Sequence, residues 1–232
     1  MDAKTQNKVL VSGLFGVGIS PQLFNGFYNP FLSAYPAYFW AVDILTLVAL
    51  PLSLYLWGLN KKIFTNRDLG LHFDFQGRRH TGIFITAMIG LPFLVYYGFW
   101  FFMWLGSYLH FYLFPAEFDH FTFDFSMALG GEGFTRVVQV IYFSVTAGLV
   151  EEFYYRGLFK LLFKPDRMGM VLFALLSALI FSLIHWEGGY VKMFTTFFLG
   201  LMFAGAYLFT KNLWPLIFGH FVADFFLFYG AP

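Results

Sequence analysis

Apolar runs about as long as a bilayer-crossing helix recur down the whole 232-residue chain. A hydrocarbon core ~30 Å thick takes ~20 helical residues to cross. Inside it the backbone meets no water, so every N–H and C=O must be satisfied within a helix or a closed barrel. Barrel strands would leave ten-residue alternation, and none is evident. The runs fall at roughly 36–59, 81–113, 134–163, 168–186, 190–210 and 213–229. They predict an all-α, polytopic transmembrane helical bundle of about six to seven crossings, forming a single integral membrane domain over 1–232. Composition agrees. At 59% hydrophobic and 12% charged, the chain lies outside the soluble range of ~45–50% apolar and ~25% charged.

Residues 9–31 are less regular, with Pro21, Gln22, Asn25, Gly26, Asn29 and Pro30 among them. They read as a short span, a re-entrant piece or an interfacial helix. Lys4 and Lys8 ahead of the apolar stretch mimic a signal peptide, but Ile19-Ser20-Pro21 is a poor cleavage site, so an uncleaved segment is expected. Lys61, Lys62, Arg67, Arg78 and Arg79 share one loop, and Lys160, Lys164 and Arg167 cluster at another, with Lys211 closing the fifth run. The alternate loops hold Glu117, Asp119, Asp124, Glu132 and Glu187, with Arg136 and Lys192 at their margins. The positive-inside rule therefore puts loops 61–80 and 164–167 in the cytoplasm. The aromatic stretch 93–125 reads as interfacial and lipid-facing bulk. A net charge of +1 without a basic tract argues against a nucleic-acid partner. The absence of cysteine removes disulfides, a thiol nucleophile, zinc–thiolate sites and acylation of the chain.

Charged side chains at membrane depth cost at least ~2.5–3.5 kcal/mol and usually mark function. Glu151, Glu152 and Arg156 lie together in the third run. Glu152 and Arg156 are four apart on one helical face, and their plainest reading is a structural ion pair that lets the helix insert. Glu151 is turned about 100° away, so the same arginine does not easily serve both. A carboxylate left unpaired in a dry cavity can take up and return a proton as general base or acid. Its plainer alternative is a helix–helix hydrogen bond. His185 ends the fourth run beside Trp186, and alone reads as a satisfied or interfacial histidine. His220 and Asp224, four apart on the last run, form either an oriented imidazole or a packing hydrogen bond. Asp43 reads as a local polar contact or an accessory acid. Counting ~1.5 Å per residue puts these groups at depths that three tilted helices can bring together.

Glu151-Glu152-Phe153-Tyr154-Tyr155-Arg156 matches EExxxR, Phe181 to His185 matches FxxxH, and His220 to Asp224 matches HxxxN/D. In that order they resemble the CAAX-protease and bacteriocin-processing (CPBP, or Abi) family of intramembrane endopeptidases, which includes the type II CAAX prenyl proteases. The resemblance covers about 134–229, the expected catalytic core. Gly200, Gly205, Leu213-Trp214-Pro215 and the Arg67–Leu71 loop also look like that family. The resemblance implies hydrolysis of a peptide bond in a membrane-associated peptide or protein tail. Glu151 would activate water, His185 would help hold it, and Glu152 and Arg156 would support the site. His220 and Asp224 would stabilise the oxyanion or orient the scissile carbonyl. An ionised Asp224 cannot donate as Asn would, so fixing the His220 tautomer is its alternative task. No cofactor is expected to be required. If zinc is bound, Glu151, His185 and His220 are its expected ligands, although no HExxH helix is present.

Two other function classes use similar residues. Proton- or metal-coupled transporters build Glu, His and Asp relays, but the inverted repeats that would favour one are not visible. A catalytically silent membrane scaffold remains as the third. GxSG and GxGD motifs of other intramembrane proteases are absent.

Overall fold

The structure, a computed structural model, describes residues 3–25, 35–73, 77–113 and 132–230. The acidic residues Glu117, Asp119 and Asp124, the aromatic positions from 114 to 125, and positions 26–31 of the first segment lie outside the described residues.

The described residues are mostly helical and contain no strand. The ambiguous first segment is a helix, α1 (Ala3–Leu23), with Pro21 in its last turn. Next come α2 (Pro36–Asp43), a π turn (Ile44–Ala49) and α3 (Leu50–Asn60), which run on as one span. Proline at the first turn of α2 fits a helix start, where its missing N–H has no partner to lose, whereas Pro51 lies inside the continuous span just after the π turn. Helix α4 (Arg78–Leu113) has 36 residues. At ~1.5 Å each it exceeds the hydrocarbon thickness, so it tilts or enters the interface. Helix α5 (Phe134–Glu152) continues through a second π turn, Phe153–Leu158. Three successive i→i+3 bonds, from Leu161, Leu162 and Phe163, then tighten the chain to a stop. Helix α6 (Arg167–Leu183) starts where Asp166 accepts the Gly169 N–H at 2.7 Å, an N-cap. A 3-10 turn (Trp186–Gly188), α7 (Gly189–Thr210) and α8 (Trp214–Gly230) complete the chain order.

Four of these spans are long and apolar enough to cross a membrane: Ala37–Asn60, Arg78–Tyr112, Phe134–Leu158 and Trp186–Thr210. Helices α6 and α8 are apolar but shorter. The outward face of α4 carries Phe93, Tyr97, Trp100, Trp104, Tyr108 and Phe111, all exposed. In water such a face would aggregate; against lipid it is the solvent contact. The chain is an integral membrane helical bundle.

Packing places the polar groups inside. Helix α6 packs on α7, α7 on α4, α4 on α8 and α8 on α5, while the π turn after α5 touches α6, α7 and α1. Every residue from Phe153 to Leu158 is buried, as a helix turn surrounded on all sides must be. Ser177 on α6 donates to the Tyr155 carbonyl within that turn at 2.8 Å. The Tyr155 hydroxyl donates to Gln22 of α1 at 2.7 Å. Trp186 donates to the Leu23 carbonyl at 3.0 Å, tying the same end of α1 to the turn after α6.

Candidate active site

Two close helix approaches build the site. A Cβ on Gly148 of α5 would sit 3.0 Å from the Ile217 carbonyl oxygen and 3.6 Å from the His220 Cβ. Glycine there lets α5 and α8 touch backbone to backbone, one turn before Glu151 and Glu152. A Cβ on Gly200 would sit 2.8 Å from the Ala178 Cα, so α6 and α7 are equally close at that level.

Glu152 and Arg156 are both fully buried, with Arg156 Nη1 donating to Glu152 Oε1 at 3.0 Å. The other Arg156 terminal nitrogen donates to the Gly200 carbonyl at 3.4 Å. The guanidinium also lies over the rings of Phe181 and Phe203, at 4.4 and 5.0 Å from their centroids. Such cation–π contacts strengthen when desolvated. One cation is thus held by helix α6, helix α7 and the turn that carries it.

His220 contacts three carboxylates. Its Nδ1 lies 2.9 Å from Glu152 Oε1, and its Nε2 lies 3.6 Å from Glu151 Oε2 and 3.4 Å from Asp224 Oδ2. The ring stacks on Phe203 with centroids 5.2 Å apart. Glu151 Oε2 has no hydrogen-bond partner among the described residues, while its side chain keeps 16% of its exposure. Glu152 Oε2 is likewise buried without a partner, but Glu152 Oε1 is taken by Arg156 and His220 while the Glu151 side chain keeps partial exposure. The ion pair thus falls to Glu152, and Glu151 is the carboxylate left over. Sequence spacing offered Asp224 as the acid that orients His220. Asp224 sits at Nε2, whereas the 2.9 Å contact to Nδ1 comes from Glu152 on another helix. No local pattern announces that bond, because its partners are 68 residues apart.

His185 meets His220 and Asp224 at a cavity. Its Nδ1 is 2.7 Å from the Phe181 carbonyl, which puts the proton on Nδ1 and leaves Nε2 with its lone pair. His185, His220 and Asp224 line a cavity of about 650 Å³, together with Phe181, Phe203 and Lys192. Asp43 is elsewhere, accepting from the Tyr142 hydroxyl at 2.7 Å, the local polar contact rather than a member of this cluster. Among the described residues, no group of three or more His, Asp or Glu side chains is arranged to hold a metal ion. The donors expected for zinc, Glu151, His185 and His220, do not form such a group among the described residues.

A carboxylate oxygen without a hydrogen-bond partner beside an imidazole can take a proton from water and pass it on. That chemistry sits within a recognisable stretch: residues 133–226 match the family model described as type II CAAX prenyl endopeptidase Rce1-like. This segment is similar to that family. The match agrees with the CPBP resemblance read from EExxxR, FxxxH and HxxxD, and at family level it supports a CAAX-type intramembrane protease with a peptide substrate. No curated protein and no solved structure matches the chain.

Proposed function

We propose that the protein is an intramembrane endopeptidase that hydrolyses a peptide bond in a membrane-associated peptide or protein tail, using water activated by Glu151 without an obligatory metal. The observation that carries this reading is the Glu151 carboxylate. One of its oxygens lacks a hydrogen-bond partner among the described residues and lies 3.6 Å from the imidazole of His220.

In the proposed reaction, water gives a proton to Glu151 as its oxygen attacks the scissile carbonyl carbon. His185 accepts the second water hydrogen through Nε2 and so aims the nucleophile. His220 donates to the oxyanion that forms, and such a donor is typically worth ~2.7–4 kcal/mol in the transition state. Asp224 accepts from the same ring and keeps Nε2 protonated, a task for an acceptor, which an ionised carboxylate is. Collapse of the intermediate breaks the C–N bond, and Glu151 returns its proton to the leaving amine. The products are one carboxylic acid and one amine. Glu152 and Arg156 hold His220 and the π turn in place.

The basic loops 61–80 and 164–167 face the cytoplasm in this proposal. The test uses purified protein in detergent with a quenched peptide library. Glu151→Ala and His185→Ala should each lower turnover by about 10²–10⁴-fold, the usual span for general acid–base groups. Both variants should keep the wild-type helical circular dichroism. Chelator treatment should leave turnover unchanged. Full turnover by Glu151→Ala would remove Glu151 as the base.

A further inference from the structure

A second cavity, of about 560 Å³, lies between the start of α4 and the end of α7. Arg67, Arg79 and Lys211 line it with His72 and His80, and no carboxylate does among the described residues. The three cations come from three segments: the loop after α3, the first turn of α4 and the residue after α7. A helix C-terminus favours one nearby cation, which accounts for Lys211 but not for Arg79. Arg79 and Lys211 have no ion pair among the described residues.

The walls are joined before any ligand arrives. Asn212 donates to the His72 carbonyl at 2.8 Å, and the Leu213 N–H donates to the Gly70 carbonyl at 2.9 Å. The loop and the α7–α8 turn therefore move as one piece. Lys160, just past its membrane span, also feels this end: burial first and then the Lys211 charge push its ammonium down. Arg79 and Lys211 are gathered here with no acid among the described cavity walls. Besides Thr210 and Asn212 the rest of the wall is apolar, and Phe209 points outward with 69% of its surface exposed. Cations beside an outward aromatic, at the end of a membrane helix, fit a ligand with an anionic head and apolar chains.

We propose that this cavity binds the phosphate of an anionic phospholipid headgroup, with Arg79 and Lys211 as its main contacts and the acyl chains passing Phe209. A guanidinium can meet two phosphate oxygens at once, while a zwitterionic lipid brings its own cation into the same space. The site stands independently of the proposed hydrolysis.

The test reconstitutes the full chain into nanodiscs of mixed phosphatidylglycerol and phosphatidylcholine, then counts retained lipid by native mass spectrometry. One phosphatidylglycerol should be held in preference to phosphatidylcholine. Arg79→Gln combined with Lys211→Asn should lower that retention by roughly thirtyfold, from the usual worth of two basic residues at an anionic surface. Asparagine suits position 211 because Lys211 has φ 51 and ψ 30, a left-handed conformation that asparagine tolerates. The exposed pair Lys61→Gln with Lys164→Gln should retain the lipid, and a thermal melt checks that both variants are folded. Equal loss in both pairs, or no preference for phosphatidylglycerol, overturns the site. Retention of inorganic phosphate in place of lipid overturns the lipid assignment.

Discussion

Two side chains converge on a single atom, Glu152 Oε1, with Arg156 at 3.0 Å and His220 at 2.9 Å. Breaking a buried pair by removing one partner typically costs ~3–5 kcal/mol, since the other charge is stranded. Glu152→Gln should therefore lower thermal stability in detergent by about that amount. Replacing both, as Glu152→Met with Arg156→Met, should recover much of it, because apolar replacement of a buried pair is often neutral or better. The double variant should stay inactive, since His220 loses its Nδ1 partner. A single Glu152→Gln variant with unchanged melting would contradict the pair's structural role. Asp224 gives a different prediction. Asp224→Asn keeps an acceptor oxygen at Nε2 and adds a donor, so turnover should stay within about tenfold, whereas Asp224→Ala removes the acceptor and should lose more. Measured kcat for the two variants separates an orienting role from an essential negative charge.

Helix register and helix spacing decide where these atoms fall. The π turn Phe153–Leu158 follows Glu152 directly and carries Arg156, and such turns recur at functional sites because they re-aim side chains. Gly148 sets the other coordinate, the distance between α5 and α8. Gly148→Ala would press a methyl on the Ile217 carbonyl, 3.0 Å away, and a backbone atom cannot rotate aside. A cost of about 1–3 kcal/mol is expected from overpacking. Turnover should fall by up to about 10²-fold, the effect of a displacement of ~1 Å at the reacting groups. Gly205→Ala is the matched control. Nothing lies within 4 Å of its Cβ, and alanine favours a helix over glycine by up to ~1 kcal/mol. It should be neutral or stabilising, with normal turnover.

Across the whole molecule, apart from Arg136, Arg156 and Lys192, the described basic residues fall in the loops and helix ends around 4–8, 61–79, 160–167 and 211. Lys8 donates to the Leu162 carbonyl at 2.9 Å, and Lys8, Asp68 and Lys164 line one pocket. The loop after α3 also bonds to the α7–α8 turn. Glu132, before the start of α5, belongs to the opposite end. The chain has no cysteine, so single introduced cysteines report topology without background. Lys61→Cys and Lys164→Cys should react with an impermeant thiol reagent from the cytoplasmic side, and Glu132→Cys from the other. Labelling of Lys61→Cys and Lys164→Cys from opposite sides would break the shared end.

Helices and their order could be read directly because apolarity and caps act over a few residues. The spans at 36–59 and 190–210 lie within one residue of Pro36–Asn60 and Gly189–Thr210. The first segment stayed ambiguous because Pro21 and its amides look like a break. The structure keeps Pro21 within the last turn of α1, where Gln22 gains the Tyr155 hydroxyl as donor. The Glu152–Arg156 pair was equally legible, since four-residue spacing is local.

Sequence alone settled that charged groups sit in apolar helices, and which helices carry them. It did so because burying a charge in hydrocarbon costs too much to happen idly. Only the tertiary structure decided which acid meets which nitrogen. That choice depends on how closely α5 approaches α8 at Gly148, a distance set by packing between segments far apart in the chain.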